Sequence, residues 1–181
     1  MWKLNIINAD LNHVLSWADY THVPSDPTGE GNTASTDFPD QVFGFTTSSP
    51  TDGVITIDFR VDKSKSWVLN SWALARHNPD PVLIHEQGHY RIGLLIVRDV
   101  ITLAPRWGQQ EGIDQMNALS RRWRELDNGV AGCYERSTGL GRNALNQAKW
   151  NELLGLLLFT TPPSTDSLVR NANELFGCGA S

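Results

Sequence analysis

The stretch Val82–Tyr90, with the sequence VLIHEQGHY, decides our prediction of the fold and of the site. It lies in the segment that reads as the most apolar helix of the chain, and its two histidines, His85 and His89, are four positions apart. Because residues i and i+4 share one face of a helix, both imidazoles can bind a common ion. Glu86 would lie beside an open coordination position, where a carboxylate can take a proton from a metal-bound water. The spacing predicts zinc-dependent hydrolysis with Glu86 as the general base.

The residues around this motif predict a long helix. Asp80 can cap its first turn, and Pro81 suits the first helical position, where its missing N–H costs nothing. Apolar residues continue after the motif, and Pro105 ends the pattern, so we expect the helix to reach about Leu103. Gly88 lowers helix propensity by about 1 kcal/mol relative to alanine. We therefore expect another group to pack closely against the backbone there.

Length and composition limit the class of protein. The chain has 181 residues, of which 40% are hydrophobic, and we predict a single domain over residues 1–181. A formal net charge of -5 argues against nucleic-acid binding, as does the lack of any basic run longer than Arg121-Arg122. The apolar runs are far shorter than the roughly 18 residues of a membrane span, so we expect no membrane insertion. Nothing in the sequence indicates an oligomeric state.

The two cysteines, Cys133 and Cys178, allow one pairing. In an oxidising compartment a disulfide between them would tie the C-terminal tail to a long helix, typically worth about 2–4 kcal/mol. Neither cysteine lies in a spacing typical of zinc ligands. The first twenty residues show no signal peptide, which leaves open a leader removed before Met1.

The order of predicted elements is strands first and helices afterwards. Residues 54–61 alternate apolar and polar side chains and predict a half-buried strand, a candidate for the sheet edge beside the cleft. We predict a long loop over Thr21–Pro39, a short strand over Gln41–Thr47, and a strand or short helix over Trp67–Ala75.

Three further helices follow the metal helix in the prediction. They run from about Gly112 to Thr138, from Asn143 to Phe159, and from a cap at Ser164 or Thr165 to Gly177. The predicted fold class is α+β, with a small N-terminal mixed or antiparallel sheet packed on the central HExxH helix and a helical C-terminal part.

A catalytic zinc ion usually has three protein ligands, so two histidines leave the site incomplete. If the helix after residue 112 returns antiparallel to the metal helix, the motif faces positions 125 to 135. Asp127, Tyr134 and Glu135 are then the candidates for the third ligand, and all three stay open on this reasoning. Glu111 is disfavoured because it would lie at the far end of the hairpin.

The other histidines are weaker candidates. His77, just before the capping turn, could be a ligand or could stabilise an oxyanion, although an exposed loop position is the simpler interpretation. His13 and His22 fall in the N-terminal part, where the pattern does not place them.

Several motifs together resemble a known family. HEQGHY over His85–Tyr90, SKSWV over Ser64–Val68, LSWADY over Leu15–Tyr20 and YERSTGLG over Tyr134–Gly141 are similar to a bacterial family of unknown function whose members are regarded as secreted zinc-dependent proteases. The resemblance covers about residues 14 to 152. It implies a zincin-like fold, peptidase activity, zinc as cofactor, a peptide or protein substrate, and export to the periplasm or the medium.

The resemblance also implies roles for individual residues, with one departure. It assigns His85 and His89 to the metal and Glu86 to catalysis. Its later element has an aspartate where this chain has Glu135, and a histidine where this chain has Leu140. Glu135 keeps a carboxylate and is our preferred third ligand. Tyr134 matches the pattern and is predicted to hydrogen-bond the oxyanion or the metal-bound water.

These observations give one leading hypothesis and two alternatives. The leading hypothesis is a zinc peptidase of the HExxH type. The first alternative is a zincin-like binding or structural module with weak or no activity, which the leucine at position 140 motivates. The second alternative is hydrolysis of a non-peptide amide, such as a cell-wall crosslink.

Overall fold

The structure is a computed structural model that describes residues 2–47, 53–75, 77, 79–108, 110–115, 117–118 and 129–178. Its strands are β1 (Trp2–Ala9), β2 (Thr21–Val23), β3 (Ala34–Ser35), β4 (Phe43–Thr47), β5 (Gly53–Phe59) and β6 (Trp67–Leu69). Its labelled helices are α1 (Asn70–Ala73), α2 (Pro81–Leu103), α3 (Val130–Thr138), α4 (Ala144–Phe159) and α5 (Thr165–Phe176). This mixture confirms the α+β class.

The first sheet has the strand order β1-β5-β4. Strand β1 pairs parallel with β5, and β4 pairs antiparallel with it. The predicted strand over residues 54–61 is β5, whose alternate side chains Ile55, Ile57 and Phe59 are buried. Its predicted place at the sheet edge is wrong, because β5 is the central strand. Strand β1 was missed, since seven of its eight positions, residues 3 to 9, are partly or fully exposed and give no clear alternation.

Two strands of a second sheet, β2 and β3, lie inside the segment that we predicted to be a loop. Its order is β2-β6-β3, with β2 parallel and β3 antiparallel to β6. The loop prediction for Thr21–Pro39 is therefore wrong at β2 and β3, which are only three and two residues long. Strands this short carry no readable periodicity, and their partner lies more than 30 residues later in the chain. The segment Trp67–Ala75 contains both predicted alternatives, strand β6 followed directly by helix α1.

Helix α2 has the predicted bounds and the predicted cap. The carboxylate of Asp80 accepts hydrogen bonds from the backbone N–H groups of Val82 and Leu83, both at 3.1 Å. Most residues of the second half of α2 are buried, and this half supplies most of the side chains that α2 places in the hydrophobic core. The first half buries His85 and Glu86 instead, so the polar motif lies at one end of an otherwise apolar helix.

The later helices agree with the sequence pattern except at one place. Helix α3 ends at Thr138 as predicted, and α4 and α5 have the predicted ends. The predicted continuous helix from Gly112 is observed as helical residues 110–115 and 117–118 and as α3, while residues 116 and 119–128 lie outside the described residues.

Side-chain contacts tie the helices to one another. Cys133 of α3 forms a disulfide with Cys178 after α5, across a sequence separation of 45 residues. Asp99 of α2 accepts hydrogen bonds from the backbone N–H groups of Ser164 and Thr165, at 2.7 and 2.9 Å, and so caps α5 from another helix. Among the described residues, no helix is long and apolar enough to cross a bilayer.

Candidate metal centre

The structure brings His85, His89 and Glu135 together. Nε2 of His85 lies 3.2 Å from Oε2 of Glu135, and Nε2 of His89 lies 2.8 Å from Oε1 of Glu135. The two Nε2 atoms lie 3.3 Å apart. Across the part of the chain that the structure describes, these three residues are the one group of histidine, cysteine or acidic side chains with metal-binding geometry. The two helix residues and the predicted third ligand thus converge on one point.

The distances fit a small divalent cation. Bonds of about 2.0–2.2 Å in tetrahedral geometry place neighbouring ligand atoms about 3.3–3.6 Å apart. Two of the observed separations, 3.2 and 3.3 Å, lie at the lower end of this range, and the third, 2.8 Å between His89 and Glu135, is shorter. Two imidazole nitrogens and one carboxylate are also a donor set that zinc prefers. The three residues could therefore hold a divalent metal ion, and their donor set is compatible with zinc.

Hydrogen bonds fix the tautomer of His85. The hydroxyl of Tyr134 donates to the backbone carbonyl of His85 at 2.8 Å, so its oxygen accepts from Nε2 of Gln147 at 2.7 Å. The amide oxygen of Gln147 then faces Nδ1 of His85 at 3.2 Å, and Nδ1 must be the donor. The hydroxyl of Thr138 lies 3.3 Å from the same nitrogen. In the neutral imidazole, the lone pair consequently resides on Nε2, which faces Glu135 and His89.

In this tautomer of His85, two hydrogen-bond acceptors of the cluster face each other. The lone pair of His85 Nε2 and the carboxylate of Glu135 are both acceptors, and they lie 3.2 Å apart. Two acceptors at this distance repel unless a cation or a proton lies between them. Burial raises the pKa of Glu135, but the protonated forms of His85 and His89, which can both donate to the carboxylate, lower that pKa well below its usual range. The carboxylate is thus charged and ready to bind either a metal ion or protonated imidazoles.

Tyr134 packs against the metal helix beneath both histidines. Its ring stacks on His85 at a centroid distance of 4.7 Å and meets His89 edge-on at 4.9 Å. A Cβ atom at Gly88 would lie 2.0 Å from the Tyr134 hydroxyl, which explains the glycine inside the motif. The expected close packing at Gly88 is therefore confirmed.

The position of Tyr134 does not support its predicted role as an oxyanion donor. The side chain is fully buried, its proton goes to the carbonyl of His85, and it does not line the cleft. Burial, opposed by the hydrogen bond from Gln147, raises its pKa far above the usual range. We therefore assign Tyr134 to positioning the histidines rather than to contact with substrate.

Glu86 is held by a hydrogen-bond chain from the N-terminal part. The hydroxyl of Thr36 donates to Oε2 of Glu86 at 2.5 Å, so it accepts from the hydroxyl of Tyr20 at 2.7 Å. Burial first, and then the charge of Glu86, raise the pKa of Tyr20, which keeps its proton on the chain. One carboxylate oxygen of Glu86 is thus fixed. Glu86 lines the cleft next to the three convergent side chains and is not one of them.

The early segment is anchored to the start of the metal helix. The indole N–H of Trp17 donates to Asp80, the capping residue, at 2.8 Å. Gln87 accepts from the backbone N–H of Leu15 at 2.8 Å, and the hydroxyl of Tyr90 donates to the backbone carbonyl of Asp10 at 3.0 Å. Gln87 and Tyr90, which do not line the cleft, thus bind the N-terminal part at Leu15 and Asp10.

A cleft of about 390 Å³ opens over the three convergent side chains. One wall is formed by residues 32–36 around β3, and the opposite wall by α3 and the turn that follows it. Leu140, which stands where the resembling family has a histidine, lines this second wall. The cleft is large enough for one or two side chains of a substrate.

The remaining sequence candidates lie elsewhere. His77 stacks on Trp72 at 3.9 Å, His22 contacts the backbone carbonyl of Trp17, and His13 pairs with Asp19 at 3.3 Å. Glu111 accepts from the backbone N–H of Gly108 and does not line the cleft. Asp127 lies outside the described residues.

Sequence reasoning missed the residues that support the site. Tyr20, Thr36 and Gln147 reach the motif from positions about 50 to 66 residues away, and no local spacing marks such contacts. Tyr20 had one usable signal, since it ends the LSWADY segment that the family resemblance includes.

In comparisons with known proteins, no family model, no curated protein and no solved structure matched the chain. The family resemblance accordingly stays a prediction.

Proposed function

We propose that the chain is a zinc-dependent peptidase of the HExxH type with a zincin-like fold. The observation that carries this proposal is the convergence of His85, His89 and Glu135 on one point, with Glu86 beside them in the same cleft. Glu135 would complete the ligand set, and a catalytic site with three protein ligands keeps one position open. The arrangement supports a catalytic rather than a purely structural metal, because a structural zinc normally has four protein ligands.

The proposed mechanism assigns the proton transfers to Glu86. A zinc ion held by His85, His89 and Glu135 would supply Lewis-acid polarisation of the scissile carbonyl and a water of lowered pKa. Glu86 removes a proton from the attacking water while the new carbon–oxygen bond forms. It then gives that proton to the amide nitrogen as the carbon–nitrogen bond breaks. Thr36 holds one oxygen of Glu86, so the other is the one that handles the proton.

A peptide substrate is supported by the wall around β3. Strand β3 stands at the end of the order β2-β6-β3, and its residues line the cleft. Extended peptides commonly bind such an edge by adding a strand, with backbone hydrogen bonds that do not depend on sequence. The edge strand beside the cleft is therefore β3, whereas we had predicted β5 in this position.

The test of the proposed function is Glu86→Gln in zinc-loaded protein, assayed on an unfolded protein substrate. Glutamine keeps the size of the side chain and its contact with Thr36 but cannot accept the proton. We expect kcat/KM to fall by roughly 10²–10⁴-fold with zinc content unchanged. Glu152→Gln, at an exposed glutamate of α4, is the matched control and should leave the rate unchanged. Equal cleavage by Glu86→Gln and wild type would refute the assignment.

A second candidate function is a metal-free binding module. It is favoured by the 2.8 Å contact between His89 and Glu135, which is also an ordinary length for a hydrogen bond from a protonated imidazole. In this case a proton, and not a metal ion, would lie between Nε2 of each histidine and the carboxylate of Glu135. Metal analysis of protein purified without added zinc distinguishes the two. One zinc ion per chain would count against the module.

We also propose that the protein is exported. The disulfide between Cys133 and Cys178 is weakly compatible with an oxidising compartment, where such bonds persist. The test is the thiol content of protein isolated from its native host under alkylating conditions. Two free thiols per chain would contradict export to such a compartment.

A further inference from the structure

The turn after helix α3 has an unusual backbone. Gly139, Leu140 and Gly141 have φ values of +56°, +57° and +78°, so three consecutive residues are left-handed. Two backbone hydrogen bonds close the turn, from Asn143 N–H to Thr138 at 2.7 Å and from Arg142 N–H to Gly139 at 3.2 Å. Leucine rarely adopts this conformation, and such strain is concentrated at functional sites. The turn therefore has a defined backbone conformation, which Leu140 adopts at a cost in free energy.

This turn is pressed against the metal helix. A Cβ atom at Gly141 would lie 3.0 Å from Cβ of His85 and 3.1 Å from the backbone oxygen of Pro81. Only glycine combines this close approach with a positive φ. The residues on either side of Gly141 are consequently held at a fixed place beside His85, and both line the cleft.

The charges of the cleft are unevenly placed. Its floor carries the histidines with Glu86 and Glu135, and residues 32–36 of the opposite wall are uncharged. Among the described residues, Arg142 is the one lysine or arginine that lines the cleft. Glu86 and Glu135 already have partners in Thr36 and the histidines. Arg142 is exposed to solvent, so an incoming anion can reach its guanidinium group.

We propose that Arg142 binds a carboxylate of the peptide substrate and so determines specificity. This inference rests on the proposed peptidase function and adds the substrate class, which is a peptide with an anionic group near the cleaved bond. The planar guanidinium matches a carboxylate with two parallel hydrogen bonds, and it carries a full charge at every physiological pH. The carboxylate is either an aspartate or glutamate side chain or the C-terminus of the peptide.

Binding of uncleaved peptides tests the inference. The protein is the full zinc-loaded chain with Glu86→Gln, which keeps the peptides intact. The probes are fluorescent ten-residue peptides of one neutral sequence. The first set has an amidated C-terminus, and the second is also amidated but carries a single glutamate or lysine at each position in turn. The third has the neutral sequence with a free C-terminus. Arg142→Glu is the test variant, and Arg142→Lys retains the charge without the planar fork. Arg136→Glu, at an exposed residue of α3 outside the cleft, is the control with the same charge change.

We expect one carboxylate position to bind about tenfold more tightly than the neutral amidated peptide, as is typical of one charge-assisted hydrogen-bond pair. A preferred glutamate position identifies a side-chain carboxylate, and preference for the free C-terminus identifies the terminal one. Arg142→Glu should abolish this preference and favour lysine, Arg142→Lys should retain part of it, and Arg136→Glu should leave it intact.

Equal binding of neutral and anionic peptides would overturn the inference. So would a carboxylate preference that survives in Arg142→Glu. Cleavage of the neutral peptide by wild type, measured in parallel, would then show that the peptidase proposal stands without the specificity. Absence of both binding and cleavage for every peptide would overturn both proposals.

Discussion

The two halves of helix α2 bury different kinds of side chain. The second half, from Ile92 to Val100, buries mainly aliphatic groups that lie in the hydrophobic core. The first half buries His85 and Glu86, and each is held by polar side chains from distant elements. Both halves belong to one unbroken helix, so the backbone does not distinguish them.

The two kinds of buried side chain differ in what they contribute to the free energy of folding. Burial of aliphatic side chains contributes favourable free energy without any specific partner. A buried polar side chain costs free energy unless each of its hydrogen-bonding atoms has a partner. The first half therefore depends on a particular set of neighbours, which is the expected mark of a site maintained for its function.

The largest expected change in stability comes from the apolar half. Leu95→Ala should lower the free energy of unfolding by about 2–5 kcal/mol, because Leu95 is fully buried and the mutation leaves a cavity. The zinc affinity of the folded protein should not change. Denaturant unfolding and zinc titration measure the two effects. Leu156→Ala, at a leucine that is 63% exposed, is the control and should change the free energy of unfolding by less than about 0.5 kcal/mol.

An intermediate effect is expected in the polar half at Gln147. Gln147→Met removes the acceptor for Nδ1 of His85, and loss of such a partner typically weakens metal binding about 10–100-fold. Gln147→Glu keeps an acceptor at the same place and should retain zinc affinity. Competition with a chromophoric chelator measures both variants. Wild-type zinc affinity in Gln147→Met would show that Gln147 does not orient the imidazole.

The smallest effect on stability is expected at Gly88, where an added Cβ would meet the side chain of Tyr134. Gly88→Ala should raise helix propensity but destabilise the protein by about 1–3 kcal/mol, because the added Cβ displaces Tyr134. Gly155→Ala in α4 is the matched control, since nothing lies within 4 Å of its Cβ position. It should stabilise the protein by up to about 1 kcal/mol. Thermal unfolding of both variants checks the pair, and stabilisation by Gly88→Ala would contradict the packing at this site.

The comparison also explains which features could be predicted from the sequence. Helix α2, its Asp80 cap and the HExxH spacing depend on residues close together in the chain, and the sequence indicated all three. The approach of Glu135 was a weaker prediction, because it combined a hairpin register with the family resemblance. The structure brings Glu135 to the histidines, and whether it binds a metal stays a prediction.

Features that depend on distant partners could not be predicted. Strands β2 and β3 are too short for periodicity and become strands by pairing with β6. The chain from Tyr20 through Thr36 to Glu86 joins three separate segments, and no local spacing links the first two residues to the motif. The predicted role of Tyr134 came from its match to the motif of the resembling family, which carries no information on the hydrogen bond of its hydroxyl to the backbone of His85.

Calorimetric titration of zinc into chelator-stripped protein tests the central claim most directly. Wild type should bind one zinc ion per chain, and Glu135→Gln should weaken binding by more than the roughly 100-fold typical of a residue that only supports a ligand. Glu86→Gln should bind zinc as wild type does, because Glu86 acts on the proton and not on the metal. No zinc binding by wild type, or equal losses in Glu86→Gln and Glu135→Gln, would contradict the assignment of His85, His89 and Glu135 as the metal site.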